Sequence, residues 1–598
     1  MIGVLSKHDE VETVREFFEL FKVPWEFYQQ ARKYPVILST RDLPEVENLQ
    51  GKLIFLFSSE NTRFDRENKI NVRPSPEKKV LLKYGSVDVP IYGKTSTFET
   101  ASNVITTLRG TTGLDSRFRG NDMRDSRNDK VADDIRIFNG LVTGIEIHKD
   151  DVKIIRIGFD LFKEIHSLLT TGQPSEFSQT PTLDAHISRL REWILESGIP
   201  LVEIPPVPAG YHYACCLTHD IDFESIRRHK FDRTILGFLH RALFGSLGGV
   251  LTGKIPWKKL YENWKAVCLL PAVYTGIVED YWLPFDHYLK VENGLRSTFF
   301  IIPFKNHCGM DDENVKNTNR STRYDVCDVK EKIQNLLAHG CEVGVHGIDA
   351  WQDPERGRQE YERILDATGA SEMGIRMHWL YFNDHTPQIL EDLGFSYDST
   401  LGYNEAVGYR GGTTQAYRPI GLKKLFELPL HIQDTALFFP ERMGLTEDEA
   451  WILIKQLFDN AQKYGGVLTI NWHDRSLAPE RLWGDFYIKL LEHLKKSTVW
   501  IDTASRVVRW FDKRRSAMFE EVSVSENCVK LHIVCEHDDD VPALMARVHT
   551  PKNGKGEGAD AGAGKKAYRD IAFANILNVE IPLSYHENIV TPAQAGVH

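Results

Sequence analysis

Short apolar runs recur along the chain from about residue 211, and each of them ends in polar residues. The runs are YACCLTHDID, STFFIIPF, CEVGVHGID, GIRMHWLYF, LFELPLHI and GVLTINWHD. Segments with a helical pattern, such as KEKIQNLLAHG and ERILDATG, separate most of them. Nearly continuous apolar strands that alternate with helices predict an α/β fold whose parallel sheet is covered on both faces. In barrels of this type, functional residues collect at the carboxyl ends of the strands.

The pattern changes at two points, which divide the chain into regions. Before about residue 205, IGVLS and LIFLFS have strand length, and an amphipathic helical spacing lies between them. After about residue 516, apolar and polar residues partly alternate, and NGKGEGADAGAGKK then has the composition of a flexible linker. The predicted regions are an N-terminal α/β region of unknown role at 1–204, a (β/α) barrel at 205–515, a small β-like extension at 516–550 and a flexible tail at 551–598.

Two stretches differ in composition and hydrophobic pattern from the region around them. Residues 110–134 have almost no apolar side chains and repeat Asp-Ser-Arg and Asn-Asp, which predicts a disordered surface insertion. Residues 224–285 follow the first apolar run and are rich in Trp, Leu and basic residues. We expect this excursion to be helical, and either to cover a functional site or simply to add packing.

Composition and charge exclude some classes of function. The apolar fraction of 42% and the charged fraction of 26% are typical of a soluble globular protein. A net charge of -11 repels phosphate backbones, so we expect no nucleic-acid partner. We also expect no membrane span, because no run of about eighteen apolar residues occurs, and we see no secretory signal at the N-terminus.

The eight cysteines form no CxxC pair, and several lie inside apolar runs. They are typical of small buried side chains in a reducing compartment. We therefore expect a cytoplasmic location. The sequence leaves the oligomeric state open.

Acidic residues follow the first apolar run of the barrel region. Asp220 and Asp222 stand at i and i+2 in an extended chain, so their side chains point the same way. Two carboxylates so close repel each other unless a cation or a proton lies between them. One can bind a metal while the other handles a proton. The same Asp-x-Asp pair also occurs in surface loops and in nucleotide-sugar transferases.

Further candidates follow the next runs. His346 ends one strand and Asp349 comes three residues later, and both are ligand types that suit zinc and related ions. Arg376 and His378 share one face of another strand. Arg376 could pair with Asp220 and hold it ionised.

The last apolar run of this kind ends in NWHDR. His473 within it is a candidate general acid or base, because its reference pKa lies near neutrality. Asp398 offers a carboxylate that could orient this imidazole. Arg410, in the sequence YRGGT, supplies a cation on a loop for substrate. His378 and Trp379 are further candidates for substrate contact.

Taken together, these motifs over roughly residues 213–510 resemble the polysaccharide deacetylase family, the nodulation-type carbohydrate esterases. The resemblance implies an irregular barrel of about seven βα units. It also implies that Asp220 is the catalytic base, and that Asp222 and His346 bind a divalent metal, most commonly zinc (Zn2+). HGIDAW, RMHWLYF and NWHDRSLAPERLW are similar to a subgroup linked to bacterial surface-polysaccharide synthesis.

By the same resemblance, Arg376 tethers the base, His473 is the general acid and Asp398 is the carboxylate that supports it. The chain departs from the family at Ala350, where the family has a second metal histidine. Asp349 is the nearest substitute for that ligand, and His378 is another. Family members are usually exported, whereas this chain shows no signal.

The sequence thus predicts a metal-dependent hydrolase that removes N-acetyl groups from an amino-sugar-containing polysaccharide or its precursor. A glycan-binding relative with impaired catalysis would account for Ala350. A hydrolase of a non-sugar amide on the same barrel would need the same residues. A nucleotide-sugar transferase could use the two aspartates but has no need of histidines at two other strand ends.

Overall fold

A computed structural model describes residues 1–42, 51–76, 80–84, 87–99, 142–149, 151–253, 255–310, 320–525, 528–536, 540–551 and 568–582. The predicted insertion at 110–134 lies outside these residues.

The N-terminal region is built on a six-stranded sheet with the strand order β2-β1-β3-β4-β10-β9. Its strands pair in parallel except β9, which is antiparallel to β10. The strands are β1 (Ile2–Leu5), β2 (Trp25–Phe27), β3 (Val36–Ser39), β4 (Leu53–Phe57), β5 (Asn71–Pro74), β6 (Val80–Tyr84), β7 (Val87–Ile91), β8 (Ser96–Glu99), β9 (Gly144–Lys149) and β10 (Val152–Ile157). The helices are α1 (Val11–Phe21), α2 (Arg63–Glu67), α3 (Leu161–Thr170) and α4 (Thr182–Glu196), and a short strand, β11 (Leu201–Glu203), follows.

The barrel region contains a sheet of nine strands in the described residues, and every pairing in it is parallel. The strands are β12 (Tyr213–Ile221), β13 (Thr298–Ile301), β14 (Glu342–Gly347), β15 (Gly374–Met377), β16 (Tyr397–Asp398), β17 (Phe426–Glu427), β18 (Ile432–Gln433), β19 (Val467–Asn471) and β20 (Val499–Ile501). The helices are α5 (Arg233–His240), α6 (Ser246–Leu251), α7 (Trp257–Tyr274), α8 (Pro284–Glu292), α9 (Lys330–Ala338), α10 (Pro354–Thr368), α11 (Thr386–Leu393), α12 (Asp434–Phe438), α13 (Glu447–Tyr464), α14 (Gly484–Lys496) and α15 (Ala504–Ser516).

The parallel sheet curls until its two edges nearly meet. Eight strands lie in the order β17-β16-β15-β14-β13-β12-β19-β18, and in a flat sheet the outer two would be about 34 Å apart. Only residues 428–431 separate β17 from β18 along the chain, a path of at most about 19 Å. Within this link, the N–H of Leu428 donates to the Asp398 carbonyl and the N–H of His431 donates to the Thr469 carbonyl. The link therefore connects the two edge strands of the curled, barrel-like sheet.

One helical stretch in the barrel region stands out for its composition. Helices α5 and α6 are joined by a π-helical turn, Arg241–Gly245, into a single helix from Arg233 to Leu251. By length and composition this is the one helix of the described residues long and apolar enough to cross a membrane, and 22% of it is buried in the protein.

Two small antiparallel sheets follow the barrel, with the strand orders β21-β22-β25 and β11-β23-β24. The strands are β21 (Met518–Val524), β22 (Cys528–Val534), β23 (Leu544–His549), β24 (Tyr568–Phe573) and β25 (Ile576–Pro582). The last two lie in the stretch 551–598 that we expected to be a flexible tail, so the β extension continues to residue 582. The reason is that alternate residues of β25, such as Leu577 and Ile581, pack into buried clusters with neighbouring strands.

Candidate metal centre and active-site cavity

Three side chains converge at the carboxyl ends of neighbouring barrel strands. Asp222 follows β12, His346 is the next-to-last residue of β14, and His378 follows β15. Their candidate ligand atoms all lie within 4.8 Å of one another. Oδ1 of Asp222 is 3.3 Å from Nε2 of His346 and 3.3 Å from Nε2 of His378. The parallel strand order produces this convergence, because it brings these chain ends to one side of the sheet.

The backbone after β15 turns sharply to place His378. Residues His378–Leu380 form one 3-10 turn, in which Trp379 has φ 62° and Leu380 has φ 58°. Left-handed conformations cost an L-residue about 1–2 kcal/mol. Strain of this kind persists where the surrounding structure fixes it, which is common at functional sites.

The donor set fits a divalent transition metal. The Nδ1–H of His346 donates to the Arg376 carbonyl at 2.9 Å, which orients the ring so that Nε2 faces Asp222. Oδ1 of Asp222 is buried without a hydrogen-bond partner in the described residues. One carboxylate oxygen and two imidazole nitrogens are a common ligand set of catalytic zinc. Burial raises the pKa of Asp222, but the imidazoles of His378 and His346 outweigh it and lower the pKa well below its usual value.

Asp349, which the sequence suggested as a metal ligand, lies outside this cluster. Its carboxylate is fully buried and both of its oxygens accept hydrogen bonds from other groups. The donors are the side chains of His307, Arg320 and Arg356 and the N–H of Met310, at 2.7–3.2 Å. The expectation for Asp349 is therefore corrected: its oxygens are occupied, and His378, the other candidate, occupies the third position.

Asp220 lies beside the cluster and contacts three polar groups. Its Oδ1 accepts from Nη1 of Arg376 at 3.0 Å, and its Oδ2 accepts from Nδ2 of Asn471 at 2.8 Å. Nε2 of His473 is 3.9 Å from the same Oδ2. Burial raises the pKa of Asp220, but the charge of the fully buried Arg376 outweighs it, so the pKa is lowered and the carboxyl stays ionised at neutral pH.

The carboxylate next to His473 is Asp434, which the sequence reasoning missed. The Nδ1–H of His473 donates to Oδ1 of Asp434 at 2.6 Å, and the backbone N–H of His473 donates to Oδ2 at 2.7 Å. Burial lowers the pKa of His473, but Asp434 outweighs it, and with the charges of Asp220 and Asp222 the pKa rises to about 9. Nε2 of His473 therefore holds a proton at neutral pH and faces Asp220.

Within the described residues, Asp398, which we expected to support the acid, forms no hydrogen bond or ion pair with His473. It is buried, and its Oδ1 accepts hydrogen bonds from the N–H and the hydroxyl of Thr400. Burial raises its pKa to about 7. The expectation is corrected to Asp434. The available signal was its place directly after the apolar run LFELPLHI, at the carboxyl end of β18.

A cavity of about 380 Å³ opens over these groups. Trp379 and His378 line the cavity, whereas Arg410 does not and instead donates to the Gly402 carbonyl. Several long polar and aromatic side chains that we did not predict share the wall. These are Asn404, Gln433, Arg442, Arg475, Arg481 and Trp483. The cavity wall therefore combines guanidinium and amide groups with aromatic and other apolar surface.

No family model and no curated protein matches the chain. Similar solved structures include a Mycobacterium smegmatis protein assigned as a polysaccharide deacetylase, at 19% identity and TM-score 0.32, covering 52% of this chain and 95% of that one. An allantoinase has 15% identity and TM-score 0.32, covering 51% of this chain and 92% of that one. The carbohydrate deacetylase Agd3 has 9% identity and TM-score 0.35, covering 98% of each chain.

These neighbours are carbohydrate deacetylases and an allantoinase, but the likeness is distant. Every identity is below 25% and every TM-score is below 0.5. Such values do not establish a family or an activity for this chain, whose function has to be argued from its own residues.

Proposed function

We propose that the protein is a metal-dependent hydrolase that removes N-acetyl groups from an amino-sugar polysaccharide or its precursor. The observation that carries this proposal is the placement of a three-residue donor set directly beside an ionised carboxylate and a protonated imidazole. Asp222, His346 and His378 form the donor set, and Asp220 and His473 are the acid–base pair.

Asp222, His346 and His378 would hold the divalent ion, and zinc suits their oxygen and nitrogen atoms best. When bound, such an ion supplies Lewis acidity toward a carbonyl oxygen and lowers the pKa of water. Ala350 does not argue against a complete site, because His378 offers the imidazole that position 350 lacks.

The remaining groups handle protons. Asp220 is positioned to accept a proton from the attacking water at Oδ2, because Arg376 and Asn471 hold it as an oriented carboxylate. His473 carries a proton at Nε2, since Asp434 occupies its Nδ1–H and raises its pKa. This proton would pass to the departing amine. Assistance of this kind is worth about 10²–10⁴-fold in rate.

The substrate assignment uses the character of the cavity. Its wall offers amide, guanidinium and indole groups, and sugars are bound by such hydrogen-bonding groups together with apolar faces. An N-acetylated sugar presents both hydroxyl groups and the amide that the acid–base pair is placed to cleave.

The test is acetate release from N-acetylated oligosaccharides by the purified protein loaded with zinc, with Asp220→Asn and His473→Gln as variants. We expect activity in the wild type and a loss of about 10²-fold or more in each variant, with metal content unchanged. Cleavage of a non-sugar amide alone would support the metal-dependent hydrolase but contradict the sugar substrate. A fully loaded protein that is inactive on every amide would contradict the proposal.

A further inference from the structure

The excursion between β12 and β13 has a well-packed inner face. Ile235 and Phe238 of the helix from Arg233 to Leu251 are buried in one cluster with Val273 and Trp282. This cluster gives the excursion its own small core. The helix is therefore anchored to the protein along one side.

The opposite side of the same helix is apolar and exposed. Leu236, Phe244 and Leu251 are 60%, 67% and 74% exposed, and Leu243 and Leu247 between them are half-buried. The spacing i, i+7, i+8, i+11, i+15 puts all five on one side of a helix. The outer face of a helix packed on a soluble protein is normally polar. Exposed apolar patches of this kind mark interaction sites.

Helix α7 extends this surface with aromatic side chains. Trp257 and Tyr261 are each 69% exposed and Trp264 is 44% exposed. Their spacing, i, i+4 and i+7, again defines one helix face. The indole N–H of Trp264 donates to the Leu243 carbonyl at 3.5 Å, which sets the two stripes side by side. Trp and Tyr favour the boundary between water and lipid, where one end of the ring is apolar and the other is wet.

Charge around this surface contrasts with the rest of the chain. Residues 225–278 contain nine Lys and Arg and two Asp and Glu, whereas the whole chain has a net charge of -11. Lys230, Arg233, Lys258 and Lys265 are exposed next to the apolar stripes. A basic, aromatic and apolar helical face is complementary to a membrane that carries anionic head groups.

We propose that this face, formed by the exposed side chains of Arg233–Leu251 and α7, docks on the surface of an anionic phospholipid bilayer. The helices would lie in the head-group region and would not span the bilayer, because spanning would pull Ile235 and Phe238 out of their core. The same excursion walls the cavity: the guanidinium carbon of Arg475 lies 3.8 Å from the Phe223 ring centroid and 5.0 Å from that of Trp282. Docking thus brings the candidate active site to a membrane surface.

The test is flotation of the full chain with vesicles of phosphatidylcholine alone and of phosphatidylcholine mixed with phosphatidylglycerol. We expect flotation with the mixed vesicles and its loss at high salt, because the head-group attraction is screened. Leu236→Ser combined with Phe244→Ser should reduce the partition coefficient for vesicles about tenfold or more. Burial of a single apolar side chain raises that coefficient by a factor of order ten. Lys258→Gln combined with Lys265→Gln should weaken binding to the anionic vesicles.

The matched control is Ile452→Ser combined with Ile488→Ser, which alters exposed aliphatic residues on α13 and α14. We expect this control to float like the wild type, and all variants to keep the wild-type unfolding midpoint. Absence of wild-type flotation, or equal flotation of the Leu236 and Phe244 variant, would overturn the proposal. If that variant instead converts a self-associated protein to a monomer in light scattering, a second copy covers the face. Acetate release from soluble substrates is independent of all these outcomes.

Discussion

His473, two residues past the end of β19, donates its Nδ1–H at 2.6 Å to Asp434, which directly follows the neighbouring strand β18. A second hydrogen bond from the His473 N–H fixes the other carboxylate oxygen. The ring is thereby held in one orientation and one tautomer, with Nε2 toward Asp220. The partner Asp434, the acid His473 and the base Asp220 are placed by strands β18, β19 and β12 respectively, which lie next to one another in the sheet.

Removal of the Asp434 charge should move the pH dependence of catalysis. The pKa of His473 is raised to about 9. His473 is therefore protonated and can act as an acid below that pH, and the activity that depends on it falls as the pH rises through about 9. Asp434→Asn keeps the shape of the side chain but removes the charge. We expect the alkaline limb of the acetate-release profile to move to lower pH. An unmoved limb would mean that another group sets it.

Substitution of two candidate ligands should separate metal binding from stability. His378→Gln removes a donor of the cluster, and we expect the metal affinity to fall more than about 100-fold, because changes to groups behind ligands already cost 10–100-fold. Asp349→Asn should leave metal content unchanged and instead lower the free energy of unfolding, by about 3–5 kcal/mol, because Arg320 loses a buried countercharge. Metal analysis and denaturant unfolding of both variants measure this; the reverse pattern would restore Asp349 as a ligand.

Removal of one partner of the buried ion pair between Arg376 and Asp220 should lower the free energy of unfolding. Arg376→Met leaves the Asp220 carboxylate buried without its cation, and we expect a loss of about 3–5 kcal/mol in the free energy of unfolding. Adding Asp220→Asn to this variant should recover part of that loss. Chemical unfolding of the two single variants and the double variant closes the cycle. Purely additive effects would show that the two charges do not interact.

Acid stability should depend on a histidine far from the cavity. Burial lowers the pKa of His186 to about 3, against about 6.5 in an unfolded chain. The unfolded state alone takes up this proton between those values, so stability falls as the pH drops from about 6.5 toward 3, by up to about 1.4 kcal/mol per unit. His186→Gln should make the dependence of urea unfolding on pH shallower in that range. The same slope in both proteins would assign the acid sensitivity elsewhere.

The periodicity of the sequence was enough to predict most of the side chains that lie together at the cavity. Asp220, His346, Arg376 and His473 each stand at the end of an apolar run, and parallel strands bring such ends to one side. Their positions at the strand ends were therefore enough to predict which side chains lie close together. They were not enough to predict which atoms are in contact. Asp434 was missed because β18 has only two residues, which is too short to produce a periodic signal.

Side-chain direction could not be obtained from spacing. Asp349 is one residue away from the position expected for a ligand, but the chain has turned out of β14 there, and its carboxylate points to Arg320 and Arg356. The C-terminal sheets also extend further than predicted, because β25 is stabilised by packing of Leu577 and Ile581 against other strands and not by any local pattern. Tertiary partners, which a single sequence does not reveal, decided both cases.

Residues 428–431 have a consequence for how the chain tolerates change. They join β17 to β18 and hydrogen-bond to both neighbours, so an added residue here would shift the register of two strands at once. Asp434 would be displaced from His473, while Asp222, His346 and His378, which are placed by the separate strands β12, β14 and β15, would stay together. Lengthening this segment by a single glycine should thus yield a protein that still binds metal but cannot protonate its leaving group. Insertions should therefore be less well tolerated at this connection than in exposed loops.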